Sequence, residues 1–196
     1  MTRPRPKAPG DSFVSLRSRL AARTPARVER EGLMETAVAL ILTPGEKGLE
    51  ALFIRRAERA DDPWSGHVAL PGGRREPGDA DRLATAVRET EEEVGVRLAP
   101  DSLLGALDDL HPRTATIPPL VIRPFVFGLA RRPRTRLSGE VAGVHWFALA
   151  DLPAAAGSAE VAVRGTTMTV PCFRPAGTVI WGLTYRILSG FLALAP

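Results

Sequence analysis

The stretch from Leu70 to Val96 constrains this chain more than any other. It begins with an apolar strand end and the turn Pro71-Gly72-Gly73, then two arginines and a second Pro-Gly pair. It closes on Arg88-Glu89-Thr90-Glu91-Glu92-Glu93-Val94-Gly95-Val96. The second half has the marks of a helix. Asp79 is placed to cap it, since a carboxylate there accepts bonds from the free first-turn amides, and Asp81 adds negative charge at the positive end of the helix dipole. Gly95 is the expected stop. Leu83, Ala86, Val87, Thr90 and Val94 recur on one side, which is expected to pack on a sheet. On the opposite side Glu89, Glu92 and Glu93 stand at i, i+3 and i+4, so three carboxylates share one stripe.

Like charges at that spacing cost an isolated helix about 0.2–0.5 kcal/mol per pair unless a cation lies between them. Arg88, one turn before Glu92, relieves part of this. Clustered carboxylate oxygens suit magnesium or manganese, with waters and substrate phosphates completing the shell. An acidic run by itself is more often a solvated helix face. The preceding loop shifts the balance, because glycines let backbone approach a ligand closely and arginines such as Arg74 suit phosphate. Loop and helix together point to metal-assisted attack on a phosphoanhydride.

These residues resemble the Nudix box, which is written Gly, five residues, Glu, seven residues, Arg-Glu-apolar-any-Glu-Glu-any-Gly-apolar. Gly73 and the run Arg88 to Val96 match its two ends. Three positions depart: Asp79 replaces the first Glu, eight residues separate it from Arg88, and Thr90 replaces an apolar residue. The resemblance implies an α/β fold, a Nudix-type α/β/α sandwich with a mixed β-sheet. It implies Glu89, Glu92 and Glu93 as ligands for Mg2+ or Mn2+, with Arg88 orienting the carboxylates and Gly72 and Gly73 shaping the loop. Many members add a glutamate outside the box to complete metal binding or activate water; Glu140 is the candidate here, beside Glu89, Arg88 and Glu92 as catalytic residues.

A branch of that family, the coenzyme A diphosphatases, carries a further pattern upstream of the glycines. The stretch Leu52-Phe53-Ile54-Arg55-Arg56-Ala57, then Gly66, then Leu70-Pro71-Gly72-Gly73 is similar to it in part. Ile54 replaces Thr, Asp61 stands where an arginine is expected, one residue is inserted before Gly66, and Leu70 replaces Phe. Arg59 is a substitute for the missing arginine. Coenzyme A or its thioesters are accordingly the first candidate substrates, with Arg55, Arg56, Gly72, Gly73 and Arg74 as substrate-binding residues. The alternatives are hydrolysis of ADP-ribose, a dinucleoside polyphosphate or an oxidised nucleotide, or a nucleotide-sensing module without turnover.

At 196 residues the chain has the size of one domain with an extension, read as a tail and helix over 1–30 and the hydrolase domain over 31–196. Hydrophobic residues at 44% and charged residues at 24% are ordinary for a globular protein. The net charge of +4 fits an anionic small-molecule substrate. The basic residues are dispersed without aromatic interleaving, so no nucleic-acid partner is expected. The single cysteine, Cys172, excludes an intrachain disulfide and suits a reducing compartment as a core residue. Residues 3–30 are arginine-rich and loosely resemble a transit peptide, but a plain tail is preferred and the expected location is cytoplasmic.

Along the chain, Pro4, Pro6 and Pro9 keep the first residues irregular. Asp11 or Ser12 caps a helix with Phe13, Leu16 and Leu20 on one stripe. Met34 to Leu42 and Leu49 to Arg56 read as a hairpin of strands around Pro44 to Gly48. Trp64 lies in a polar connection as a surface for stacking a base or as a cover for the core edge. His67 to Leu70, Leu120 to Leu129, Val141 to Leu149 and Met168 to Phe173 read as further strands. His111 is a candidate base or substrate contact, and Arg131 to Arg136 a basic loop near phosphates or a solvated turn. Asp151 to Gly165 is Ala-rich and expected to be mobile. Thr178 to Ala195 is an apolar helix too interrupted to span a membrane, buried in the core or in a homodimer.

Overall fold

The computed structural model describes residues 9–59, 64–113, 118–163 and 165–194. The readings placed on Pro4, Pro6, Asp61 and most of the N-terminal tail lie outside them. Helix α1 (Pro9–Ala21) opens on a proline, ahead of the expected cap, because the fixed φ of proline suits a first helical turn. Leu16 and Leu20 are buried and join the main core, so the helix of the 1–30 segment is part of the packed domain.

Strands β1 (Met34–Gly45) and β2 (Gly48–Arg56) form the expected hairpin, with Gly45 opposite Gly48. They stay paired only near the turn. Toward its start, β1 pairs instead with β4 (Gly72–Arg74), and β2 from Ile54 pairs with β3 (Val68–Ala69). The arms of the hairpin therefore part, and the segment Val68–Arg74 fills the opening. Backbone bonds fix it on both sides: Arg56 N–H to the His67 carbonyl at 3.0 Å and Ala39 N–H to the Pro71 carbonyl at 2.8 Å.

After α2 (Arg82–Val94) come β5 (Leu103–Ala106), β6 (Leu120–Gly128) and β7 (Val141–Ala148). Strand β6 runs parallel to β1, and the other pairings are antiparallel, which makes the sheet mixed. Alternate residues feed opposite faces. Ala37, Ala39, Ile41, Leu52 and Ile54 meet α2 with Ala86, while Leu40, Leu42 and Phe53 meet α1 and the last helix, α3 (Gly182–Leu192). Burying each large aliphatic side chain here is worth about 1.5–3 kcal/mol. The architecture is an α/β/α sandwich.

Two expectations fail in the last third. Asp151 to Gly165 is not a mobile segment, since it contains strand β8 (Ala156–Val163), paired along its length with β9 (Thr166–Phe173). Ala159 and Val163 supply its buried positions, and such small residues leave a faint alternation in sequence. The terminal helix starts at Gly182, not Thr178. Ile180 and Trp181 form β10, held against Phe173 and Cys172, and Gly182 at φ 64° turns the chain into the helix. Cys172 is buried as expected. Among the described residues, no helix is long and apolar enough to cross a membrane.

Candidate active site

Helix α2 is capped by Asp81, not by Asp79: the Ala84 amide donates to Asp81 Oδ1 at 2.8 Å. Gly95 ends the helix in the left-handed region at φ 70°. Asp79 has a different task. Its carboxylate accepts from Arg88 Nε at 2.9 Å and Nη2 at 3.0 Å, from Thr85 Oγ1 at 2.9 Å and from the Glu76 amide at 2.9 Å. The Arg88 guanidinium beside it holds its carboxyl well below the usual range, outweighing burial. Arg88 also donates to the Arg74 carbonyl at 3.0 Å and to Glu92 Oε2 at 2.9 Å, and it lies 3.1 Å from Glu89 Oε1. One side chain thus ties the loop to the helix and touches two of the three glutamates.

The two glycines of the loop are needed for different reasons. Gly72, at φ 148°, lies so close to β1 that a Cβ would collide with the Ala37 carbonyl oxygen and the Val38 Cα. A Cβ on Gly73 would instead collide with the Glu89 carboxylate. The Gly72 amide donates to Glu93 Oε2 at 2.9 Å. Glu93 is only 6% exposed, so it belongs to the packed side of α2 rather than the outward stripe. Burial pushes its carboxyl up to about 7, with the Gly72 amide opposing and Glu89 adding repulsion. Burial raises Glu89 as well, against the pull of Arg88. Glu92 stays 58% exposed.

Among the described residues, no three His, Cys, Asp or Glu side chains are gathered into a ready-made cation site. Glu92 is turned onto Arg88 and Glu93 onto the Gly72 amide. The donor chemistry nevertheless fits a hard divalent cation. Glu89 and Glu93 are carboxylates whose charge burial disfavours, and the bare Gly73 backbone leaves room for Glu89 against the loop.

The other residues singled out in the sequence are distributed unevenly. Arg55 and Arg56 are neighbours on a strand and so point to opposite faces. Arg56 lies on the α2 side, where its charge acts favourably on Glu93. Arg55 lies on the far side, lining a cavity with His67, His145 and Trp181, away from the glutamates. Glu140 is 61% exposed and pairs with Arg59 at 3.2 Å. Its segment is fastened to the end of α2 by the Ser138 amide, 3.0 Å from the Glu93 carbonyl, and its charge adds to the repulsion on Glu93. The Arg74 side chain is exposed. His111 Nδ1 sits 2.8 Å from the Leu120 carbonyl, a packing contact at the start of β6. Trp64 packs with His67 and Trp181 as an aromatic cluster. In the basic loop, Arg132 pairs with Glu50 and covers the Trp146 ring.

Sequence reasoning missed one cluster entirely. The fully buried Asp109 carboxylate receives Arg123 through two bonds of 2.8 Å, Arg27 at 3.1 Å, Arg82 at 3.2 Å and the Val28 amide at 3.0 Å. Arg82, the first residue of α2 and 9% exposed, also pairs with Glu35, which holds Arg75 at 2.7 Å. The only hint was an acidic residue, Glu35, inside an apolar strand.

Residues 33–164 match the family model of the NUDIX domain, and the chain belongs to the Nudix family. It is 43% identical over 106 residues to the uncharacterized protein C14C4.10c of Schizosaccharomyces pombe, covering 52% of this chain and 32% of that one. It is 36% identical over 104 residues to the mitochondrial coenzyme A diphosphatase NUDT8 of Mus musculus, covering 52% of this chain and 49% of the relative. The chain thus spans about half or less of the length of these relatives. Among solved structures, a MutT/nudix family protein from Enterococcus faecalis superposes with a TM-score of 0.56 at 17% identity, over 93% of this chain and 69% of that one. The likeness extends to the fold.

Proposed function

We propose that this chain is a metal-dependent hydrolase that cleaves the diphosphate linkage of a nucleoside-diphosphate derivative, with coenzyme A or its thioesters as the first substrate. The observation that carries the reading is the pair Glu89 and Glu93, two largely desolvated carboxylates set against a glycine loop, with Arg88 on Glu89 and the charge of Arg56 acting on Glu93. The coenzyme A assignment draws on the partial upstream pattern and on the name of the mouse relative.

Glu89, Glu92 and Glu93 would hold Mg2+ or Mn2+. Once bound, the cation neutralises the anhydride oxygens and lowers the pKa of the attacking water. Arg88 keeps Glu89 and Glu92 in place through bonds it already makes. Arg56 and Arg74 meet the substrate phosphates, and bare backbone at Gly72 and Gly73 lets those phosphates approach the loop. Glu140, near Glu93 on the solvent side, takes the proton of the attacking water, with Glu89 as the second candidate. The partners are small nucleotides rather than nucleic acid or membrane, the compartment is the cytoplasm, and a homodimer is the expected assembly.

The test is a panel of coenzyme A, ADP-ribose and diadenosine polyphosphate with magnesium and with manganese, products identified by mass. Cleavage of the coenzyme A anhydride is expected, lowered about a hundredfold or more by Glu92→Gln and by Glu93→Gln. Near-unchanged turnover of both variants at saturating magnesium would overturn the reading.

A further inference from the structure

We propose that the sheet face opposite the glutamates carries a second binding pocket, formed around Arg55, His145 and Trp181, that takes a nucleoside monophosphate. The cavity has a volume of about 320 Å³ and lies between the β2–β7 edge of the main sheet and the small β8–β9–β10 sheet. That size is at the lower end for small-ligand sites.

The lining is one-sided in charge. Arg55 contributes a fixed cation, and His67 and His145 contribute two imidazoles, while no acidic side chain among the described residues lines the space. His145 stacks on Phe147 with centroids 5.6 Å apart, and its ring nitrogens make no hydrogen bond to a described residue. Arg55 is 51% exposed and pairs with Glu58 at 3.5 Å, an exposed contact that an incoming anion displaces at little cost. A guanidinium flanked by imidazoles suits a phosphate ester. Trp181 closes one wall, steadied by the edge of His67 at 5.0 Å and by Trp64 at 6.0 Å, and a buttressed indole face suits a flat ring. The larger cavity of about 580 Å³ beside the β1–β2 turn lacks this character, since Glu46, Glu50 and Asp151 line it together with Lys47 and Arg174.

The choice of a nucleoside monophosphate rests on the proposed reaction, because hydrolysis of a nucleoside-diphosphate derivative releases a nucleoside 5′-monophosphate, which keeps an additional 3′-phosphate when coenzyme A is the substrate. The pocket itself does not depend on that reaction. The experiment titrates the full-length protein, in EDTA, with AMP, adenosine and inorganic phosphate, following tryptophan fluorescence and heat. AMP is expected to saturate one site with equal affinity in the unmodified protein and in Glu93→Gln. Arg55→Gln and His145→Gln are each expected to weaken it about tenfold or more. Ala162→Glu, at an exposed position on the rim, adds a negative charge without removing any group and should do the same. Adenosine and phosphate should each bind at least about tenfold more weakly than AMP. Three results would overturn the proposal: no saturable AMP binding, binding that Glu93→Gln abolishes while Arg55→Gln and His145→Gln retain it, or phosphate binding as tightly as AMP. A protein inactive on every diphosphate of the panel would defeat the proposed reaction and leave the AMP titration unchanged, so the two failures are distinguishable.

Discussion

The two ends of helix α2 treat buried acids in opposite ways. At the N-terminal end, Asp79 and Asp109 are surrounded by Arg88, Arg27, Arg82 and Arg123, and both carboxyls titrate below their ordinary range. For Asp109 burial pushes upward, but the Arg123 bonds and the Val28 amide outweigh it. At the C-terminal end, Glu89 has Arg88, Glu93 has the Gly72 amide and the more distant charge of Arg56, and burial wins at both. The contrast separates two uses of a buried carboxylate. One with its own arginines joins segments of the fold, as Asp109 joins residues 27, 82 and 123. One left short of cations keeps a charge that burial disfavours, a property that clusters at functional sites.

That contrast can be broken at several points. The largest effect is expected from Glu93→Gln, which should remove about two orders of magnitude of hydrolysis while leaving the melting temperature equal or higher, because a costly buried charge is lost. Steady-state kinetics and calorimetry on the same preparation check both halves. Asp109→Asn should do the reverse, losing about 3 kcal/mol in urea unfolding because three arginines lose their charged partner. The glycines should divide along the same line. Gly72→Ala is expected to cost about 1–3 kcal/mol through backbone overlap with β1, whereas Gly73→Ala should keep the fold and displace Glu89, lowering turnover.

The pH response has opposite signs at the two ends. The stability from Asp79 and Asp109 is present above the unfolded value near 3.8 and is lost as pH falls through their lower folded values. Glu93 acts in the other direction. Without a cation, stability falls as pH rises from about 4.5 to about 7, and Mg2+ or Mn2+ binding should tighten across the upper part of that window as the proton leaves. Urea midpoints in EDTA between pH 4 and 8 should show this slope in the unmodified protein and a shallower one in Glu93→Gln, where only Glu89 still contributes. The smallest effect is expected at the exposed Arg97–Glu91 pair, where Arg97→Ala should leave the urea midpoint unchanged within experimental error.

Much of this was legible in the sequence where the signal is local. The 3.6-residue recurrence from Leu83 to Val94, the stop at Gly95 and the matched ends of the Nudix box located α2 and its glutamates. The cap was misplaced because Asp79 and Asp81 are chemically equivalent in sequence, and only the extended backbone at Asp81, φ −155°, decides between them. Strand alternation already requires Arg55 and Arg56 to part, yet reading them as one motif obscured it. Strand β8 was missed because alanine and glycine give almost no hydropathic contrast. The Asp109 cluster gathers residues from four separate segments, and no local pattern encodes such a meeting.

The wedge of Val68–Arg74 between the parted arms of the β1–β2 hairpin has a kinetic consequence. Because both edges of that wedge are stitched into the main sheet, the glycine loop has no hinge of its own and cannot swing as a door. Its amides should exchange with deuterium as slowly as those of the central strands. Any opening beside the glutamates must therefore come from elements other than this loop, while the floor stays fixed like a keystone in its arch.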